Sequence, residues 1–231
     1  MLNEEQINRL YKFCVQHYVR YYDVQIELVD HLANAIEAKM DADKNLDFET
    51  TLNSVYAGFG RMGFSKIISQ KTEAASRQIR KRNWNYFKEY FTVPKIAVTI
   101  LFISVFTFLY FEVNKNNLKI LVGATVIFFM LAVILSIIFY FRAYKKTKKE
   151  LLCLKYSNVF QPLGIVCQLP NFLNLFFFGK KDIYDNLTQH PVYYFLFVII
   201  FVALLLLSFA SLKTYREIQE NARKNYPLAF E

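Results

Sequence analysis

The chain has 231 residues, is 55% hydrophobic and 18% aromatic, and carries a formal net charge of +9. That charge is concentrated: residues 1–76 hold 8 Lys/Arg against 11 Asp/Glu, whereas residues 77–95 and 140–156 each hold six basic residues against one acid. Cations flanking long uncharged runs argue against a nucleic-acid face, so no nucleic acid is expected as a partner, and three scattered cysteines, Cys14, Cys153 and Cys167, give neither a disulfide framework nor metal-ligand spacing.

The first residues lack the basic start and apolar core of a signal peptide, so the amino terminus is expected in the cytoplasm. Asn3 is placed as an N-cap with Gln6 as its capping-box partner, and Leu2 and Ile7 are spaced as a hydrophobic staple. Ile7, Leu10, Tyr11, Cys14, Val15 and Tyr18 recur at helical spacing, which predicts a first helix ending near Val19.

A second helix is predicted from about Tyr21, with Val24, Leu28, Val29, Leu32, Ala35, Ile36 and Met40 on one apolar face. Asp23, Glu27 and His31 follow one another at four-residue steps as a polar stripe. Together with Asp30 they are the candidate partner-docking residues. A carboxylate and an imidazole one turn apart can share a cation, but a real site needs further converging ligands. No metal is therefore expected, and Glu27 and His31 are expected to pair on the rim of the core. After a loop over 41–46, Asp47 can cap a third helix carrying Leu52, Val55, Tyr56 and Phe59. Gly60 suits the left-handed position that closes it, Gly63 follows in a short turn, and a long fourth helix is predicted from about Ser65 to Phe91.

The run Asp23-x-x-x-Glu27-Leu28-x-x-His31-Leu32, the third helix and the closing Phe59-Gly60 resemble a HAAS-type helical domain. They are similar to the permease prefix domain that precedes membrane segments in bacterial proteins. The resemblance covers about residues 1–75, and the chain departs from it in its aromatic first helix and in the spacing of Gly60 and Gly63. It implies a cytoplasmic, non-enzymatic signalling or docking module, whose protein partner would be a transporter permease or a PadR-type transcriptional regulator.

Residues 77–93 are basic and aromatic, with Arg80, Lys81, Arg82, Trp84, Tyr86 and Tyr90 suited to a collar at the headgroup level of a membrane. A bilayer needs about 20 apolar helical residues to cross it, and backbone polar groups inside it must be paired. Residues 96–111 and 120–141 carry no charge and are separated by a short polar turn, which predicts a transmembrane hairpin with spans at 94–113 and 118–141. Arg142, Lys145, Lys146, Lys148 and Lys149 then mark a return to the cytoplasm.

Residues 156–179 are uncharged but carry Pro162 and Pro170, and Gln161, Gly164, Gln168 and Asn171 fall within about 80° on a helical wheel. Either a third span with a polar stripe (Gln161, Gln168, Asn171) or an interfacial or re-entrant element fits. Residues 191–212 are a clear last span, and the tail carries Lys213, Arg216, Arg223 and Lys224. Keeping that tail inside favours four spans over three.

The expected fold is all-α: a small cytoplasmic domain of three to four helices (1–76), the basic juxtamembrane helix (77–93), and a four-helix transmembrane bundle with a cytoplasmic tail (94–231). Three spans plus an interfacial helix is the alternative. No catalytic motif, glycine-rich phosphate loop or paired-histidine motif occurs, so no catalytic residue and no cofactor is expected. The reading is a non-enzymatic regulatory, docking or scaffold protein of the cytoplasmic membrane. It is in contact with the lipid bilayer and with a protein partner at its head, and homo-oligomerisation is left open. The competing expectation is a transporter component whose polar third span lines a solute path.

Overall fold

The capping signals at the start of the chain act as their spacing requires. Asn3 accepts from the Gln6 backbone and Gln6 reciprocates, and the first helix, α1 (Glu4–Gln16), follows. The structure, a computed structural model, describes residues 1–143, 147–155 and 189–231. It continues with α2 (Tyr22–Ala42), α3 (Phe48–Ala57), α4 (Ser65–Glu89), α5 (Lys95–Glu112), α6 (Lys115–Ala143), the single turn α7 (Leu152–Lys155), α8 (Pro191–Asn225) and a 3-10 turn (Pro227–Ala229). The all-α expectation holds, and no strand occurs among the described residues.

The chain divides into two compact units. The first, the head, takes Met1–Gln78 and adds two later segments, described over 147–155 and over Ile218–Glu231. The expected boundary at residue 76 therefore marks only the first of three pieces. Leu10, Phe13, Cys14, Val24, Leu28, Val29, Leu32, Ile36, Leu52 and Phe64 form its core. Arg9 clamps α1 to α3 through both oxygens of Glu49, at 2.8 and 3.0 Å.

Two helix ends differ from the expected positions. α1 stops at Gln16 because Tyr18 takes a left-handed backbone (φ 64°), a conformation that the absence of glycine there had concealed. α3 stops at Ala57 with Gly58 as its cap, and the left-handed residues are Gly60 and Gly63 beyond it. Gly63 is fixed twice over: its φ is +50°, and a Cβ there would lie 2.5 Å from the Tyr56 hydroxyl. That turn sets Phe64 edge-on to Tyr56 and Phe59, ring centroids 5.0 and 5.1 Å apart, beneath Phe13 and His17.

The second unit takes Ile79–Lys145 and Asn158–Glu217, described over 79–143 and 189–217. Tyr110, Leu118, Val122, Phe129, Tyr194, Phe197, Val198 and Phe201 build its core. Tyr110 stacks on Tyr194 at 4.6 Å, and the Tyr194 hydroxyl lies 3.0 Å from Thr125 Oγ1, so the polar end of a buried ring is satisfied. α5 and α8 are long and apolar enough to cross a membrane. α5 is unlike the core helix of a soluble fold, because Val98, Leu101, Val105, Phe108 and Phe111 are all exposed. α8 runs to Asn225, well past the expected limit of 212.

Candidate functional site

The polar stripe of α2 separates into two roles. Asp23 stands in the first turn of α2, where its carboxylate suits the positive helix end. Its Oδ1 accepts from the Leu152 backbone N–H at 2.9 Å, and its Oδ2 from that of Cys153 at 3.1 Å. One side chain thus satisfies two of the orphan donors at the start of α7. The backbone supports the same docking: Tyr22 donates to the Glu150 carbonyl at 2.8 Å, and Lys148 to that of Ala229 at 2.9 Å. Leu151 is buried with Tyr22, Ala222 and Ala229. Lys149 Nζ lies 3.9 Å above the Tyr22 ring and Lys155 Nζ 5.1 Å above Tyr21, so one cation of the basic block expected to mark the return to the cytoplasm, and a second beyond it, rest on aromatic faces of the head.

Glu27 pairs with Lys71 of α4 and stands 3.8 Å from His31, which bears out the rim pair expected between Glu27 and His31 and adds a partner from α4. Asp30 and His31 face solvent. Of the four docking candidates, Asp23 and Glu27 hold the head together and Asp30 and His31 remain on its surface. No three His, Cys, Asp or Glu side chains converge as a metal site among the described residues. Burial pushes the Cys14 thiol up to about 11. Burial, with the Asp23 carboxylate adjacent, pushes Cys153 up to about 12. Both are held as thiols at neutral pH, which suits packing and not nucleophilic attack. The Tyr226 phenol is raised by burial first and then by the charge of Asp23. Gln161, Gln168 and Asn171, the candidate intramembrane stripe, lie outside the described residues, as does the whole segment 156–179.

A second polar cluster, absent from the sequence reading, joins α4 to α8 within the second unit. Arg82 reaches Glu217 at 3.0 Å, and the Tyr86 hydroxyl donates to the same carboxylate at 2.7 Å. That bond is the main reason the Tyr86 phenol titrates above its ordinary value. Glu89 accepts from Lys213 at 3.0 Å and from Lys95 at 3.4 Å, and Lys213 lies 3.9 Å above the Tyr86 ring. The hydrogen bond from Lys213 is the largest cause holding the Glu89 carboxyl below its ordinary range. The available signal was spacing: Arg82, Tyr86 and Glu89 share one face of α4, as Lys213 and Glu217 share one face of α8.

No protein-family model, curated protein or solved structure matches this chain.

Proposed function

We propose that this is a non-enzymatic, multi-pass protein of the cytoplasmic membrane that works as a regulatory or docking scaffold through its helical head. The observation that carries the reading is the composite head: residues 147–155 fold onto α2 by the Tyr22–Glu150 backbone bond and the Asp23 cap, and residues 218–231 join them through the Lys148–Ala229 bond and the packing of Ala222 and Ala229 with Tyr22. A bilayer cannot pass through such a hydrogen-bonded unit. Lys155 and Asn225 therefore share one face of the membrane. α8 crosses once, which puts Pro191 on the other face and supports four crossings over three. The basic runs beside the head assign its side to the cytoplasm. The exposed apolar side of α5 supports insertion, because a bilayer is the solvent that such a surface suits.

Topology is tested with Cys14, Cys153 and Cys167 replaced by alanine and single cysteines placed at His190 and Asn221. A membrane-impermeant maleimide added to intact cells is expected to label His190→Cys. It is expected to reach Asn221→Cys only after permeabilisation. Labelling of Asn221→Cys in intact cells with His190→Cys reached only after permeabilisation means three spans and overturns the four-span layout, as does labelling of both from the same side.

Docking falls to the exposed end of the α2 stripe, in line with the signalling role that the resemblance to a HAAS-type domain implies. A photo-crosslinking residue at Asp30 or His31 of the full chain, in its own cells, is expected to trap a defined partner. Adducts of equal yield from Lys44, on the exposed loop after α2, sink docking through this face.

A further inference from the structure

The second unit contains a groove of about 420 Å³ between the start of α5 and the middle of α8. Val98, Phe102, Val202 and Phe209 are among its apolar walls, and Tyr90 and Lys95, which lead into α5, mark one end. Phe102 and Val202 lie about two turns deeper along the two helices. Further along the same pair, Tyr110 stacks on Tyr194, so the helices are closed at one end and part at the other. The open end carries charge. Glu89 is shared by Lys95 and Lys213, so two cations meet one carboxylate and one positive charge is left over. Lys95 also lies 5.6 Å from the centroid of the Tyr90 ring.

We infer that this groove holds one acyl chain of an anionic phospholipid, with the headgroup phosphate at Lys95 and Lys213. The inference rests on the membrane reading above. An unbranched hydrocarbon chain suits a groove between two helices whose walls are almost wholly apolar, the Thr99 hydroxyl being spent on the Lys95 carbonyl. A phosphodiester with no cation of its own balances the surplus positive charge at the mouth. A zwitterionic headgroup brings its own cation and leaves that surplus uncompensated. Basic pockets between helices on the cytoplasmic side are sites where anionic headgroups bind.

The test uses the full chain purified in detergent and incubated with equimolar dioleoyl phosphatidylglycerol and dioleoyl phosphatidylcholine, retained lipid being counted by native mass spectrometry. Phosphatidylglycerol is expected to be retained about fivefold over phosphatidylcholine, the contribution of one cation near an anionic surface. Lys95→Glu should bring that ratio close to one. Val98→Trp, at an exposed position on the groove wall, should lower retention of both lipids while leaving the helical content unchanged. Equal retention of the two lipids by the unaltered chain overturns the inference, as does retention unaffected by Val98→Trp, which would mean annular lipid only. A chain that stays in solution without detergent overturns the membrane reading itself and is told apart at the purification step.

Discussion

Replacing Asp23 by alanine removes the acceptor of two backbone N–H groups and leaves the start of α7 uncapped. The expected loss of head stability is about 1–2 kcal/mol. Its sharper readout is local: amide exchange at Leu152 and Cys153 should quicken by about tenfold or more in D23A, while that of Leu32 follows only the global loss. Unchanged exchange at both amides would show that the cap carries no weight. The stripe containing Asp23 was visible from helical spacing, but its purpose was not. Its partners are backbone groups 129 and 130 residues away, and a backbone donor has no residue identity to read. Tyr18 shows the same limit. It is 81% exposed and left-handed, in a turn that glycine or asparagine usually fills, so apolar spacing alone extended α1 too far.

Among the elements, α8 behaves least as expected. Lack of charge marked residues 191–212, yet the helix runs on through Lys213, Glu217 and Arg223 because their charges meet partners or water and do not interrupt its hydrogen bonding. The two helices long and apolar enough to cross a membrane, α5 and α8, were legible because each contains a long run without charge. The α4–α8 seam was not, because ion pairs between distant segments follow from tertiary packing. Glu89 makes the seam pH-dependent. Its carboxyl is held below the ordinary value of 4.5, so the stabilisation is present above that value and is lost as pH falls through the lower, folded-state value. In detergent, the thermal midpoint of the full chain should fall more steeply between about pH 5 and about pH 3 than that of Glu89→Gln. Parallel curves would mean that the pairs with Lys213 and Lys95 are too well hydrated to matter.

For the molecule as a whole, the segments that complete the head lie far along the chain from α2. Residues 150–155 contain the apolar run Leu151-Leu152-Cys153-Leu154, a packing signal that was overshadowed by the lysines preceding it. Ala222 and Ala229 are small and were hidden in a tail that read as polar. The expected order of head, collar and membrane part thus describes the chain by sequence position, whereas the fold gathers three distant pieces into one unit. Ending the chain at Glu217 should cost the head about 2 kcal/mol or more. It should also open Tyr22 and Leu151 to exchange and proteolysis, although α1 to α3 are untouched. Protection in residues 1–78 equal to that of the full chain would show the head to be self-sufficient.

The contact between Lys148 and Ala229 also has a consequence in time. About 140 residues separate the end of the first head segment from the start of the third. At translation rates of roughly 5–20 residues per second, the ribosome takes about 7–28 s to bridge that interval. Until it ends the Tyr22 side of α2 lacks the part of its cover that Ala222 and Ala229 supply, so a nascent chain would offer chaperones a greasy strip that the mature protein hides. On the membrane reading proposed above, the last head segment follows α8 into the cell only once that helix has been handed to the bilayer, so a finished head would record that insertion succeeded.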